Sequence, residues 1–280
     1  MDSMTGRLPL LKHTLIIAIA FVMLYPVLWM VGSSFKPANQ IFTEIWIWPK
    51  AWNTSNYTTG WNGVAGNSFS TFLNNSLIVS ILAVIGNVFS CSMAAYAFAR
   101  LNFRFKAICF ALMLMTIMLP HHVTLIPQYI LFNKLGWVNT FFPLVTPKWL
   151  ATDAFFIFLT IQFIRGLPRE LDEAATIDGC GPIQIYGRII MPLALPALIT
   201  TAIFTFLWTW DDFFSQLIYL SDVTKYTVPL GLRMFLDSSS QSDWGPMFAM
   251  SVLSLFPCFI IFILCQKYFV EGIATSGIKG

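Results

Sequence analysis

Four carboxylates stand close together between Leu167 and Pro192: Glu170, Asp172, Glu173 and Asp178, followed by Gly179. Carboxylates so placed can pair with basic groups on another protein or simply stay solvated. Pro168 suits a first helical turn, where its missing N–H would have no partner anyway. Glu170, Asp172 and Glu173 then lie at the positive end of the helix macrodipole. Gly179 tolerates the left-handed turn after a helix end, and Pro182 starts a second short helix. By the 3.6-residue period Leu171, Ala174, Ala175 and Asp178 share one side, and Glu170, Glu173 and Ile177 another. A small-residue patch beside carboxylates suits close docking. The same residues also fit a solvated loop with ordinary caps.

Other chemistry has no residues to carry it. There is no G-x-x-x-x-G-K-[ST] loop to cradle ATP phosphates. His121 and His122 are adjacent, so on a helix they point apart and make a poor metal site. No Ser/His/Asp grouping falls at membrane depth, and the chain does not read as an enzyme. Cys91, Cys109, Cys180, Cys258 and Cys265 have no C-x-x-C spacing, and no structural disulfide is expected.

The elements that must position the loop are apolar. Of the 280 residues 57% are hydrophobic and 10% charged, against about 25% charged in a soluble domain. The chain reads as one membrane domain, 1–280, with spans near 13–35, 72–99, 107–127, 149–165, 191–213 and 245–267 and the polar loop at 167–192. The net charge of +3 is too small to argue for nucleic acid. Arg7 and Lys12 precede a run too long for a signal peptide, so the first span is read as uncleaved, with Pro26 inside it. Trp46, Trp48, Trp52, Tyr57 and Trp61 fit an interfacial loop. Gly86, Ser90 and Ala94 give the second span a small-residue face. The fourth run is free of charge only over 154–164, which places Lys148 and Asp153 near the outer interface with their heads reaching water. The fifth ends in Trp208-Thr-Trp210-Asp211-Asp212. Ten of the sixteen basic residues fall on one side if both termini are cytoplasmic. That bias puts the Glu173 loop and Ser276 inside and Asn56 outside. The centres of spans one, two, three, five and six lack the ionisable groups an ion-coupled carrier would usually keep. Energy for any solute movement must therefore come from a partner.

Glu173-Ala174-Ala175, Gly179, Ile189 and Met191-Pro192 follow the spacing EAA-x3-G-x9-I-x-L-P, with Met191 in place of Leu. This resembles the EAA loop of ATP-binding-cassette importer permeases. Asp178 and Pro196 look like the carbohydrate-uptake, maltose-permease type. Ser34-Phe35-Lys36, Leu119–Pro127 and the tail from Gln266 to Gly280 are similar to the same family. Trp210-Asp211-Asp212-Phe213 looks like its Trp-Asn-Asp-Phe signature, with Asp211 where an amide is usual.

The resemblance implies an all-α type I importer permease fold of six transmembrane helices, with a cytoplasmic helix-turn-helix coupling loop. It implies a bacterial inner-membrane protein forming half of a carbohydrate pathway. Its partners would be a second permease, identical or different, two cytoplasmic ATPases and a periplasmic or extracellular solute-binding protein. ATP and Mg would sit on the ATPase, with no cofactor in this chain. Glu170, Glu173, Ala174, Ala175, Asp178, Gly179, Ile189 and Pro192 would couple to the ATPase. Trp208, Trp210 and Asp211 are pathway candidates, although the two tryptophans also fit apolar packing and Asp211 a solvated helix end. Two alternatives are a permease of the same superfamily for glycerol phosphate or an amino acid, and an ion-coupled carrier. Outer charges are nearly balanced, so neither a neutral nor an acidic sugar is singled out.

Overall fold

The computed structural model describes residues 7–236 and 243–277, with side chains over 12–120, 123–236 and 243–267. The side chains of His121 and His122, and residues 278–280, therefore lie outside the described part, as do the side chains of most of the family-like tail. Among the described residues the regular secondary structure is helical, apart from one isolated bridge between Val64 and Asn67. The five cysteines are free. The chain forms two compact units, one ending at Ser70 and resuming over Gly231–Phe256, the other covering Thr71–Leu230 and the residues from Pro257.

The first unit contains α1 (Arg7–Ser33), a 3-10 turn at Ala38–Gln40 and α2 (Ser55–Asn62). Lys36 is wholly buried and organises the loop between them. Its Nζ donates to the carbonyls of Glu44 at 2.9 Å and Trp46 at 2.6 Å. Burial lowers its pKa, and Glu44 partly offsets this. Asn56 is buried as well, donating from Nδ2 to the carbonyls of Ser34 and Lys36. The Asn56 side chain is thus covered by its own loop, which makes it a poor labelling site. Trp46, Trp48 and Trp52 are exposed around this loop.

The second unit is built on α3 (Phe69–Arg100), a helix of 32 residues with no charge before Arg100. Then come α4 (Lys106–Ile117), α5 (His121–Lys134), α6 (Phe142–Trp149) and α7 (Ala154–Gly166). The polar segment carries α8 (Glu170–Ile177), α9 (Pro182–Ile185), a π-helical turn at Tyr186–Ile190 and α10 (Met191–Leu193). The chain continues through α11 (Leu195–Trp210) and α12 (Phe214–Tyr219). Two further helices, α13 (Val228–Met234) and α14 (Trp244–Gly277), run across the unit boundaries.

Among the described residues, four stretches are long and apolar enough to cross a membrane: Lys12–Ser33, Phe69–Arg100, Phe142–Gly166 and Trp244–Lys267. A fifth arises if Pro182–Leu193 and Leu195–Trp210 count as one span bent by 77°. Pro196 causes the bend, because it cannot donate to the carbonyl of Pro192 and its ring pushes that carbonyl aside. The straight part of the expected 191–213 span is therefore α11 alone, 16 residues. The 107–127 run is also broken. Its first part, α4, has 12 residues, roughly 18 Å at the helical rise. Pro120 disfavours helix in the residue before it, and α5 starts afresh at His121. The fourth span begins earlier than the expected 149, at Phe142, and is interrupted between Trp149 and Ala154. Lys148 and Asp153 form an ion pair of 2.8 Å across that interruption. A count of charges along the chain cannot see such pairing.

Candidate functional site

The polar segment is shaped by its own capping groups. Helix α8 starts at Glu170, two residues later than Pro168 suggests, and the Arg169 carbonyl accepts from the amides of Asp172 and Glu173. At its end Gly179 has φ +82°. The Cys180 amide donates to the Ala175 carbonyl at 2.9 Å, and the Gly179 amide to that of Thr176 at 3.0 Å. These two bonds form a Schellman motif, which satisfies carbonyls the helix end leaves free. Helix α9 opens with Pro182, and the Gln184 side chain accepts from the Gly181 amide at 3.0 Å.

One side of this segment belongs to the core. Ala175, Ile185 and Ile190 pack with Cys91, Ala95, Tyr96 and Ala99 of α3 and with Phe156, Ile157, Ile161 and Ile164 of α7. Ala175 therefore serves close approach within this chain. A larger side chain there would separate α8 from α3. Ile189 is half-buried against the same cluster. The hydroxyls of Tyr186 and Ser92 lie 2.8 Å apart.

Polar groups at the Arg100 end of α3 complete the attachment. Arg100 Nε stands 2.8 Å from Asp172 Oδ2, with only 6% of the Arg100 side chain exposed. Its Nη2 donates to the Leu167 carbonyl at 2.9 Å. Nearby, burial first and then the cations of Arg165 and Arg169 lower the Lys106 pKa. Lys106 Nζ donates to the Leu101 carbonyl at 2.7 Å.

The other side faces outward. Glu170, Glu173, Ala174, Asp178 and Gly179 are exposed, as is Pro192 farther along. Ile177 is 86% and Ile183 85% exposed, one on each side of the Gly179 turn. Ile183 was not singled out in the sequence. The signal was there, an apolar residue directly after the proline that starts the second short helix. Two large apolar side chains thus stand exposed beside the carboxylates.

The pathway candidates are not brought together. Trp210 is buried and stacks on Phe206 at 5.4 Å between ring centroids. Trp208 is 52% exposed and lies against Phe155, Phe156 and Phe204. Asp211 is exposed at the end of α11, while Asp212 Oδ1 accepts from the Ser215 amide at 3.0 Å and starts α12.

Residues 86–274 match the family described as binding-protein-dependent transport system inner membrane component. The chain belongs to this family. It is thus a permease subunit of the ATP-binding-cassette importer type, a multi-pass membrane protein whose family role is transport. A probable ABC transporter permease of Bacillus subtilis (strain 168) is 37% identical over 256 residues, covering 91% of this permease and 84% of the relative. A trehalose/maltose transport system permease of Thermococcus litoralis is 32% identical over 265 residues, covering 94% of each chain. The crystal structure of a bacterial ABC transporter involved in the import of the acidic polysaccharide alginate shares the permease fold. The likeness has a TM-score of 0.84 at 21% identity and covers 96% of this permease and 99% of that chain.

Proposed function

We propose that this permease forms half of the translocation pathway of an ATP-driven sugar or oligosaccharide importer, and that the Glu170–Pro192 segment docks a cytoplasmic ATPase. The observation that carries the reading is the two-sidedness of that segment. Ala175, Ile185 and Ile190 fix it to α3 and α7, while Glu170, Glu173, Ile177 and Ile183 stand free on the other side. A lever needs one fixed side and one side for the partner. Closure of an ATPase dimer around bound ATP and Mg would pull on the free side and move α3 and α7. This chain needs no cofactor of its own for that step. The family's binding-protein dependence and the sugar-permease relative support a carbohydrate solute delivered by an external binding protein. A second permease copy, identical or different, completes the pathway.

In this reading the chain is one permease domain with six spans. The broken α4–α5 pair supplies the third, and the bent α10–α11 pair the fifth. Both termini are cytoplasmic. With the native cysteines replaced, Thr59→Cys, exposed on α2, should react in whole cells with an impermeant maleimide. In cells lacking the ATPase, Ile177→Cys should react only after the membrane is opened. The reverse pattern would remove the docking role.

The functional test uses the full assembly of both permeases, ATPase and binding protein in proteoliposomes. Gluco-, arabino- and galacturono-trisaccharides serve as probes. ATP should drive accumulation of at least one, and an ion gradient without ATP should drive none. Uptake on the gradient alone would overturn the proposal.

A further inference from the structure

The interruption between α6 and α7 holds the one pair of opposite charges in the second unit that lies against the middle of α3 among the described residues. Trp149 Nε1 donates to the Leu82 carbonyl at 3.1 Å, and the Ser90 hydroxyl to the Lys148 carbonyl at 2.7 Å. Any Cβ at Gly86 would overlap the Trp149 indole. Ser90 stands ten residues from Arg100, roughly 15 Å along the helix, about half of a ~30 Å hydrocarbon core. The sequence had placed Lys148 and Asp153 near the outer interface. Pairing across the break, and contact with the centre of α3, put them deep instead.

The exposed side of this break cannot face lipid. Irregular backbone at membrane depth is tolerated only inside protein or along a water-filled cavity, and ionisable groups there mark pathways. Leu150 is 68% exposed, Thr152 is exposed, and the Lys148 and Asp153 side chains keep about a quarter of their surface. Ala151, at φ +53°, turns the chain outward. Directly beyond the break, Phe155 lies 5.9 Å from Trp208 between ring centroids, and both rings are half exposed.

We propose that Thr152, the Lys148–Asp153 pair and the Phe155–Trp208 platform form a saccharide-contact surface along the solute passage. The inference rests on the sugar-importer reading above. The apolar C–H face of a sugar ring packs on an aromatic face, and its hydroxyls meet both a donor and an acceptor in the ion pair. Because Lys148 and Asp153 neutralise each other, the surface suits uncharged rings over uronates.

The test uses the full assembly, with Thr152→Cys in a permease lacking its native cysteines, and Leu150→Cys as a second position. The ATPase is trapped with vanadate to hold one state, and the nucleotide-free assembly gives the other. A charged thiosulfonate should modify at least one of the two cysteines in at least one state. The gluco- or arabino-trisaccharide that the wild-type assembly accumulates should slow that reaction several-fold. Reaction with an apolar maleimide alone, or no reaction at either position, would overturn the proposal. Charged-reagent labelling that no saccharide slows would overturn the contact role, and protection by the galacturono-trisaccharide alone would overturn the preference for uncharged rings. If the wild type accumulates no probe, the sugar-importer reading fails instead, which separates the two failures.

Discussion

Glu173→Lys and Gly179→Val are each expected to abolish ATP-driven uptake while solute still binds the external binding protein normally. Glu173 is exposed on the side of α8 turned away from the core. A carboxylate that becomes partly buried in a docked complex needs a cationic partner, and Lys replaces that attraction with repulsion. The ATPase should therefore co-purify poorly with Glu173→Lys. Gly179 acts through the backbone. Its φ of +82° is a left-handed conformation, which costs an L-residue about 1–2 kcal/mol. A Cβ at Gly179 would meet nothing within 4 Å, so within this chain the whole cost is conformational. Gly179→Ala should consequently lose only part of the coupling. Val, stiff at its branched Cβ, should lose more, because it opens the Schellman turn that sets Ile177 and Ile183 in place. The measurements are a pull-down of the ATPase and solute-stimulated ATP hydrolysis. If both Glu173→Lys and Gly179→Val retain the ATPase and full stimulation, the segment is only a linker.

Arg100→Ala is expected to uncouple the segment without touching its docking face. The substitution removes the ion pair to Asp172 and the bond to the Leu167 carbonyl. Breaking a buried pair costs about 3–5 kcal/mol. Asp172 keeps 21% of its side chain in water, so the loss should fall near the lower value, about 3 kcal/mol. That is on the order of 100-fold in the equilibrium between attached and detached α8. ATP hydrolysis should continue while uptake falls, since the ATPase still finds its surface but pulls on a loosened lever. Protease sensitivity should appear between Leu167 and Cys180. Asp172→Asn removes the charge facing Arg100 but leaves the Arg100 bond to the Leu167 carbonyl in place, and should retain more uptake than Arg100→Ala. Equal uptake and equal protease resistance in wild type and Arg100→Ala would remove Arg100 from the coupling path.

The division between sequence and tertiary structure follows physical range. The left-handed turn at Gly179, the start of α9 at Pro182 and the acidic first turn of α8 were legible because capping and dihedral preferences act within four or five residues. The family followed from the same short range, since the Glu173-to-Pro192 spacing lies within one segment. The apolar runs were legible too, because hydropathy is additive along the chain. Their division into helices was less so, since whether Pro120 and Pro196 merely kink a span or break it depends on which neighbours accept the freed carbonyls.

Only the fold decided which side of α8 is fixed and which is free. Ala174 and Ala175 are chemically the same, and the difference between exposed and buried comes from α3 and α7 packing on one of them. The pairing of Arg100 with Asp172 spans 72 positions, and nothing local announces it. Lys148 and Asp153 show the same limit in reverse. Read one at a time they are two charges to be kept near water. Once a left-handed turn at Ala151 brings them to 2.8 Å, they form a neutral pair that can sit against the centre of α3.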